Sequence, residues 1–309
     1  MHDSPIATFL GSQDAVQEIE ADLRVTGLQF AVELVGIPPS EGGECSHANR
    51  SKRSIVLDLK APQGREAALK LAEGADVLLT NMRPQVMARL GLTWEDVSPR
   101  NPRLIYASLF GFGQGGPYEA KPAFDDLIQG AIGVPWLSHM ADGGEPKYAP
   151  TAIVDRGVAL WAVGQVNAAL LHQARTGRGQ KIDIPMFETM AAFNTTEHLW
   201  GEVFRPAAGP MGYESVRKGI RKPYPTKDGF LAFLPYSDAH WRKFFRLIER
   251  PDLAADPRFA TFAARQVHFD AVFALTESLL RERTTAEWVA LLGPADMPMA
   301  AVNRIEDLL

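Results

Sequence analysis

Cysteine is nearly absent: Cys45 alone stands in 309 residues. No internal disulfide can form, and a reducing compartment is expected. Cys45 lies in the polar run Glu41-Gly42-Gly43-Glu44-Cys45-Ser46. Its acidic neighbours would raise a thiol pKa, so it is a poor candidate for a cysteine nucleophile. Basic residues are not in excess either: 32 Lys and Arg against 37 Asp and Glu leave a net charge of −5. That balance argues against a nucleic-acid binder, which carries a basic excess or stripe. It leaves room for a local basic pocket around a phosphorylated ligand. No apolar run is long enough to cross a membrane. The longest, Val158 to Leu171, is broken by Gly164, Gln165 and Asn167 and is shorter than the roughly 20 residues a span requires. It reads as a buried helix. The N-terminus shows no basic start followed by an apolar core, so no secretory signal is expected and the expected location is cytoplasmic.

What is present is an ordinary globular composition, 46% apolar and 22% charged, long enough for one large or two ordinary domains. Residues 1–50 carry weak signals: Val25 to Val35 suits a strand or short helix, and Ile37 to Gly43 a loop. The pattern then sharpens. Ser54 to Leu59 is a β-rich run, and Pro62 to Glu73 has helical spacing with Gly74 as a stop. Ala75 to Thr80 and Leu104 to Leu109 are short apolar runs, typical of buried parallel strands. Met87 to Leu92 is a helix or turn, Phe124 to Gly133 is helical, and Leu137 to Ala149 reads as a polar loop. A long helix is expected over about Arg156 to Arg175, with Gly177 suited to its left-handed end. Lys181 to Ile184 is a strand, and Phe187 to Trp200 a further helix. This alternation predicts an α/β class with a parallel sheet. Glycine, proline and basic residues mark 201–222 as a linker. The division is therefore 1–200 as a large domain, atypical at its start, and 223–309 as a small domain. The latter carries a strand at Phe230 to Leu234, an amphipathic helix at His240 to Glu249, and helices over about 265–281 and 285–292. A last short strand runs from Met299 to Val302.

Two motifs invite a chemical reading. Gly111-Phe112-Gly113-Gln114-Gly115-Gly116 follows a strand and matches G-x-G-x-x-G. A dinucleotide site also needs a helix to begin inside the glycines. Here Pro117, Lys121 and Pro122 follow and helix begins only near Phe124, so a close turn is the better reading than a dehydrogenase. Asp155 precedes the long helix. Its position alone suits a helix cap as well as a catalytic carboxylate.

The ordered set of segments from Asn49 onward resembles the family III CoA-transferases. Asn49-Arg50-Ser51-Lys52-Arg53-Ser54-Ile55-Val56-Leu57-Asp58-Leu59-Lys60 is similar to their N-x-x-K-R-S-I-x-L-D-L-K segment. Asp76 to Pro84 and Met87 to Leu92 continue the likeness, followed by Asn101 to Tyr106, Pro122 to Asp126 and Thr176 to Lys181. Pro225 to Gly229 and Met297 to Asn303 resemble the opening and a later turn of the family's second domain. Ile153-Val154-Asp155 resembles the segment that holds the catalytic aspartate. Two departures stand out. The opening strand and turn of the family are not evident in residues 1–48, and the segment that returns to the first domain after the last turn is not evident before Leu309, as expected of a fragment or shortened member.

The resemblance implies a Rossmann-like large domain with a parallel sheet, a smaller α+β domain and an interlocked homodimer. It implies Asp155 as the catalytic residue. It also implies Arg53, Leu57, Lys60, Asn81, Met82 and Arg89 as contacts for coenzyme A, which enters as acyl-CoA substrate and not as a resident cofactor. Arginines suit its phosphates through bidentate hydrogen bonds. Asn81, Met82 and Leu57 correspond to adenine and pantetheine contacts, and Asp125 is expected to cap its own helix. A carboxylate can carry the chemistry alone. An ordinary aspartate ionises near about pH 3.9 and needs no base, and it can both attack a thioester and leave again. No metal or redox group is required, and the partners would be acyl-CoA and a carboxylic acid. A racemase of the same superfamily pairs the aspartate with a histidine in a Gly-His-Asp run. Here Ala123-Phe124-Asp125 stands in that place, and Phe124 moves no protons. His139 lies elsewhere, and His172 reads as a core residue of the buried helix. A member that binds CoA without turning it over is the other alternative.

Overall fold

A computed structural model gives the fold and describes residues 6–9, 31–34, 53–55 and 57–308. Cys45 lies outside them. The chain divides into two units, Met1–His139 with Gly143–Tyr213, and Met140–Asp142 with Glu214–Leu309.

The first unit is built on a six-stranded parallel sheet. Its strands are β1 (Ile6–Phe9), β2 (Ala31–Leu34), β3 (Arg53–Ser54), β4 (Val77–Thr80), β5 (Ile105–Phe110) and β6 (Gln180–Pro185). Their order is β3-β2-β1-β4-β5-β6, the order of doubly wound nucleotide-binding sheets. β4 and β5 are buried along nearly their whole length, which is why they read as unbroken apolar runs. The strand order reverses between β1 and β4, which pair from Ile6–Val77 to Phe9–Thr80. Ligands of such sheets bind beyond the carboxyl ends of the strands at this crossing point.

An opening strand is therefore present: Ile6–Phe9 lies in the middle of the sheet. It escaped the sequence reading because four residues carry almost no periodicity and both of its partners are remote. The β-rich run 54–59 contributes only Ser54 to a strand. The chain leaves β3 and turns at Leu59 and Lys60, so that Leu57 and Leu59 pack on the core as parts of a loop.

The helices of this unit are α1 (Pro62–Glu73), α2 (Pro84–Leu90), α3 (Trp94–Val97), α4 (Asp125–Ala131), α6 (Ile153–Thr176) and α7 (Met186–His198). Between α4 and α6, α5 (Val134–Asp142) occupies part of the segment expected to be a polar loop. Pro135 suits its first turn, and left-handed Gly133 and Gly143 bracket it. Proline also opens α1 and α2, where its missing N–H costs nothing. The α1 side of the sheet buries Ala68, Leu69, Leu78, Met87, Leu104 and Tyr106, whose hydroxyl donates to the Leu92 carbonyl at 2.9 Å.

α6 corrects two expectations. It starts at Ile153, ahead of Asp155, and it is not a buried helix. Only a stripe comprising Val154, Val158, Ala162, Ala169 and Gln173 is buried. Leu160, Trp161, Val163 and Leu171 are exposed, as is His172. A stripe with four-residue spacing is all that one neighbouring layer can cover. Left-handed Gly177 ends the helix.

In the second unit an antiparallel sheet of β7 (Tyr224–Pro225), β8 (Phe230–Phe233) and β9 (Met299–Ala301) has the order β7-β8-β9. The helices are α8 (Glu214–Arg217), α9 (Asp238–Leu247), α10 (Pro251–Ala255), α11 (Phe262–Val267), α12 (Phe269–Leu280) and α13 (Thr285–Leu292). The helix read over 265–281 is thus two helices, parted at His268. The core gathers Phe244, Phe245, Trp288, Leu231 and Leu280. Buried Arg265 is held by Asp238 and by the Phe259 carbonyl.

Candidate active site

β4 ends on Thr80, whose buried hydroxyl oxygen accepts the Met82 N–H at 3.1 Å. This bond turns the chain sharply out of the sheet at the crossing point. Asn81 is exposed there, and Met82 is half-buried against the core. The chain then enters α2. Its start is tied to the glycine turn and to the segment after it: Gln85 donates to Gln114 at 3.1 Å and the Arg83 guanidinium donates to the Ala120 carbonyl at 3.3 Å.

Beside α2 lies a pocket of about 460 Å³. Leu59, Ala61, Pro62, Val86 and Leu90 give it apolar walls, while Lys60, Arg65 and Arg89 line it with positive charge. That mixture suits a ligand with an apolar ring and several phosphates. Of the residues implied by the resemblance, the pocket brings together Lys60 and Arg89. Leu57 packs on the core, and Asn81 and Met82 stand at the end of β4; none of the three lines the pocket. Arg53 is in β3, and its side chain lies outside the described residues. Arg65 also lines the pocket; the sequence did not single it out, because a basic residue on a helix ordinarily reads as solvated charge.

Asp155 is the third residue of α6 and is exposed. An anion in the first turn gains about 0.3–1 kcal/mol from the helix dipole. Among the described residues, the turn is held from outside the helix. Both carboxylate oxygens of Asp125 accept the Val154 N–H, at 3.1 and 3.2 Å. Asp125 therefore caps α6 and not its own helix, whose cap position is Phe124. Gln129, one turn along α4 and fully buried, donates to the same carboxylate at 3.4 Å and accepts the Ala149 N–H at 2.9 Å. The i, i+4 spacing of Asp125 and Gln129 was the available signal.

The glycines at 111–116 form a turn and open no helix. A Cβ at Gly111 would come within 2.2 Å of the Ala123 Cβ, so only glycine fits. The Gly113 N–H donates to Glu188 at 2.9 Å. Among the described residues, no three His, Cys, Asp or Glu side chains are placed to hold a metal ion, and no helix is long and apolar enough to cross a membrane.

The family model of CoA-transferase family III matches residues 22–309. An acyl-CoA transferase of Fusarium pseudograminearum is 33% identical over 267 residues, covering 84% of this chain and 56% of the relative. An acetyl-CoA:oxalate CoA-transferase of Acetobacter aceti is 33% identical over 262 residues, covering 82% and 65%. The chain thus spans less than two thirds of the length of either. The crystal structure of a CAIB/BAIF family protein from Brucella suis superposes with a TM-score of 0.73 at 28% identity, covering 91% of this chain and 78% of that one.

Proposed function

The chain belongs to CoA-transferase family III, and from that membership we propose that it moves coenzyme A from an acyl-CoA donor to a carboxylic acid through Asp155. The observation that carries the proposal is an exposed carboxylate in the first turn of a long helix, on a turn whose backbone is held by Asp125. A carboxylate oxygen of Asp155 attacks the thioester carbonyl, the C–S bond breaks, and a mixed anhydride forms with release of CoA thiolate. The thiolate attacks the aspartyl carbonyl, giving an aspartyl-CoA thioester and the free donor acid. The acceptor carboxylate then displaces the thiolate to form a second anhydride. Attack of the thiolate on the acceptor's carbonyl gives the new acyl-CoA and restores Asp155. Every nucleophile is also a competent leaving group, so the chain supplies no separate acid or base.

In this reading the pocket beside α2 takes the adenosine and phosphate half of CoA, with Lys60 and Arg89 facing the phosphates. Leu57, Asn81 and Met82 guide the adenine and pantetheine ends, and Arg53 supplies a further cation. The partner is a second copy of the chain. The exposed Leu160, Trp161, Val163 and Leu171 of α6 support this, because apolar residues on a helix surface gain from being covered. The deciding experiment treats the protein with an acyl-CoA and then hydroxylamine. Mass spectrometry should find a hydroxamate on the peptide containing Asp155. An unmodified peptide in a sample with full transferase activity would refute the role.

A further inference from the structure

We infer that Arg65 is a third phosphate-binding cation of the pocket and that Gly91 makes the space that aims it there. The inference rests on reading the pocket as the site for the phosphorylated half of CoA. Arg65 stands in the first turns of α1 and lines the same cavity as Lys60 and Arg89. Among the described residues, none of the three is ion-paired. The neighbouring acids on α1 are engaged elsewhere: Arg100 binds Glu66 at 2.8 Å and Glu73 at 3.1 Å. The charge of Arg65 therefore remains available to a ligand.

Gly91 supplies the placement. It ends α2 in the left-handed conformation, at φ 65°, two residues after Arg89. A Cβ there would lie 2.9 Å from Arg65 Nη1 and 3.3 Å from its Cδ. The arginine stem runs through the space that a larger residue would fill. One glycine thus both terminates the helix carrying Arg89 and admits Arg65 alongside it. CoA presents three phosphate groups, two in its pyrophosphate and one on the ribose. The cations lining the cavity suit those groups, and a guanidinium offers two parallel N–H donors to phosphate oxygens.

The test is calorimetric titration of the full chain with CoA, 3′-dephospho-CoA and pantetheine. Arg65→Gln should weaken CoA binding about tenfold or more, the range of a lost charge-assisted hydrogen bond, and leave pantetheine affinity unchanged. Arg65→Lys, which keeps the charge without the fork, should fall between. A loss with CoA alone assigns Arg65 to the ribose phosphate, and a loss with both nucleotides assigns it to the pyrophosphate. Wild-type CoA affinity in folded Arg65→Gln overturns the inference and leaves the CoA reading intact. Absence of CoA binding by the wild-type protein overturns both.

Discussion

The side chain of Asp125 holds the backbone N–H of Val154, the residue that immediately precedes Asp155. The bond joins the start of α4 to the start of α6, so the turn that carries Asp155, the proposed nucleophile, is fixed by a residue 29 positions before Val154. Asp125→Ala should lower kcat by roughly 10²-fold, the cost of a misplacement of about 1 Å, with CoA affinity little changed. Loss of the cap should also remove about 1 kcal/mol of stability. Asp125→Asn keeps an acceptor and should recover most of both. Parallel kcat, CoA affinity and thermal melting measurements decide the matter. Equal losses of rate and affinity would mark Asp125 as important only for folding.

Asp155→Asn preserves shape and removes the charge and, on the proposed mechanism, the nucleophile. CoA exchange should fall by a factor on the order of 10³ or more, as when a covalent nucleophile is deleted. CoA binding and melting temperature should stay near wild type. Retention of turnover in a folded sample would end the aspartyl mechanism.

Trp161 is 57% exposed on α6, beside Leu160 and Val163. If these residues meet a second copy, Trp161→Glu buries a charge in an apolar contact and should shift the sedimentation coefficient from dimer to monomer. A wild-type protein that sediments as a monomer at all concentrations contradicts the assembly.

Acid should weaken the second unit through Asp238. The hydrogen bond from Arg265 holds its carboxyl below the ordinary value of 3.8. The unfolded chain takes up this proton first on acidification. The stabilising contribution is therefore complete above about pH 4 and is lost as pH falls through the lowered folded value. Asp228, hydrogen-bonded by Thr285, and Asp256, bound by Arg258, are lowered in the same direction. Melting temperature against pH should fall on the acid side, and Asp238→Asn should flatten that slope while lowering stability at neutral pH. An unchanged slope would show that the pair does not contribute.

Much of the first unit was legible because its signals are local. Pro62 and Gly74 bracket α1. β4 and β5 announce themselves as apolar runs because both of their faces are covered. What remained hidden depends on distant partners. Ile6–Phe9 is recognisable as a strand only through Ala31–Leu34 and Val77–Thr80. The part of α5 from Leu137 onward read as a polar loop, because Ser138, His139 and Asp142 run into Gly143-Gly144. The apolarity of α6 was plain, but which side would be covered is a property of the layers around it. In the site, Lys60 and Arg89 could be proposed separately from the resemblance, yet only the fold sets them with Arg65 in one cavity. Asp125 was noticed, but the amide it serves belongs to another helix.

The position of β1 has a consequence for synthesis. Ile6–Phe9 leaves the ribosome before any of its neighbours, yet it must lie between β2 and β4. Half of its ladder cannot close until Val77–Thr80 has emerged. Parallel pairing over so long a stretch of chain is slow. This strand is therefore secured only after both of its partners have been made, and the nascent polypeptide carries an open central seam until Thr80 has emerged.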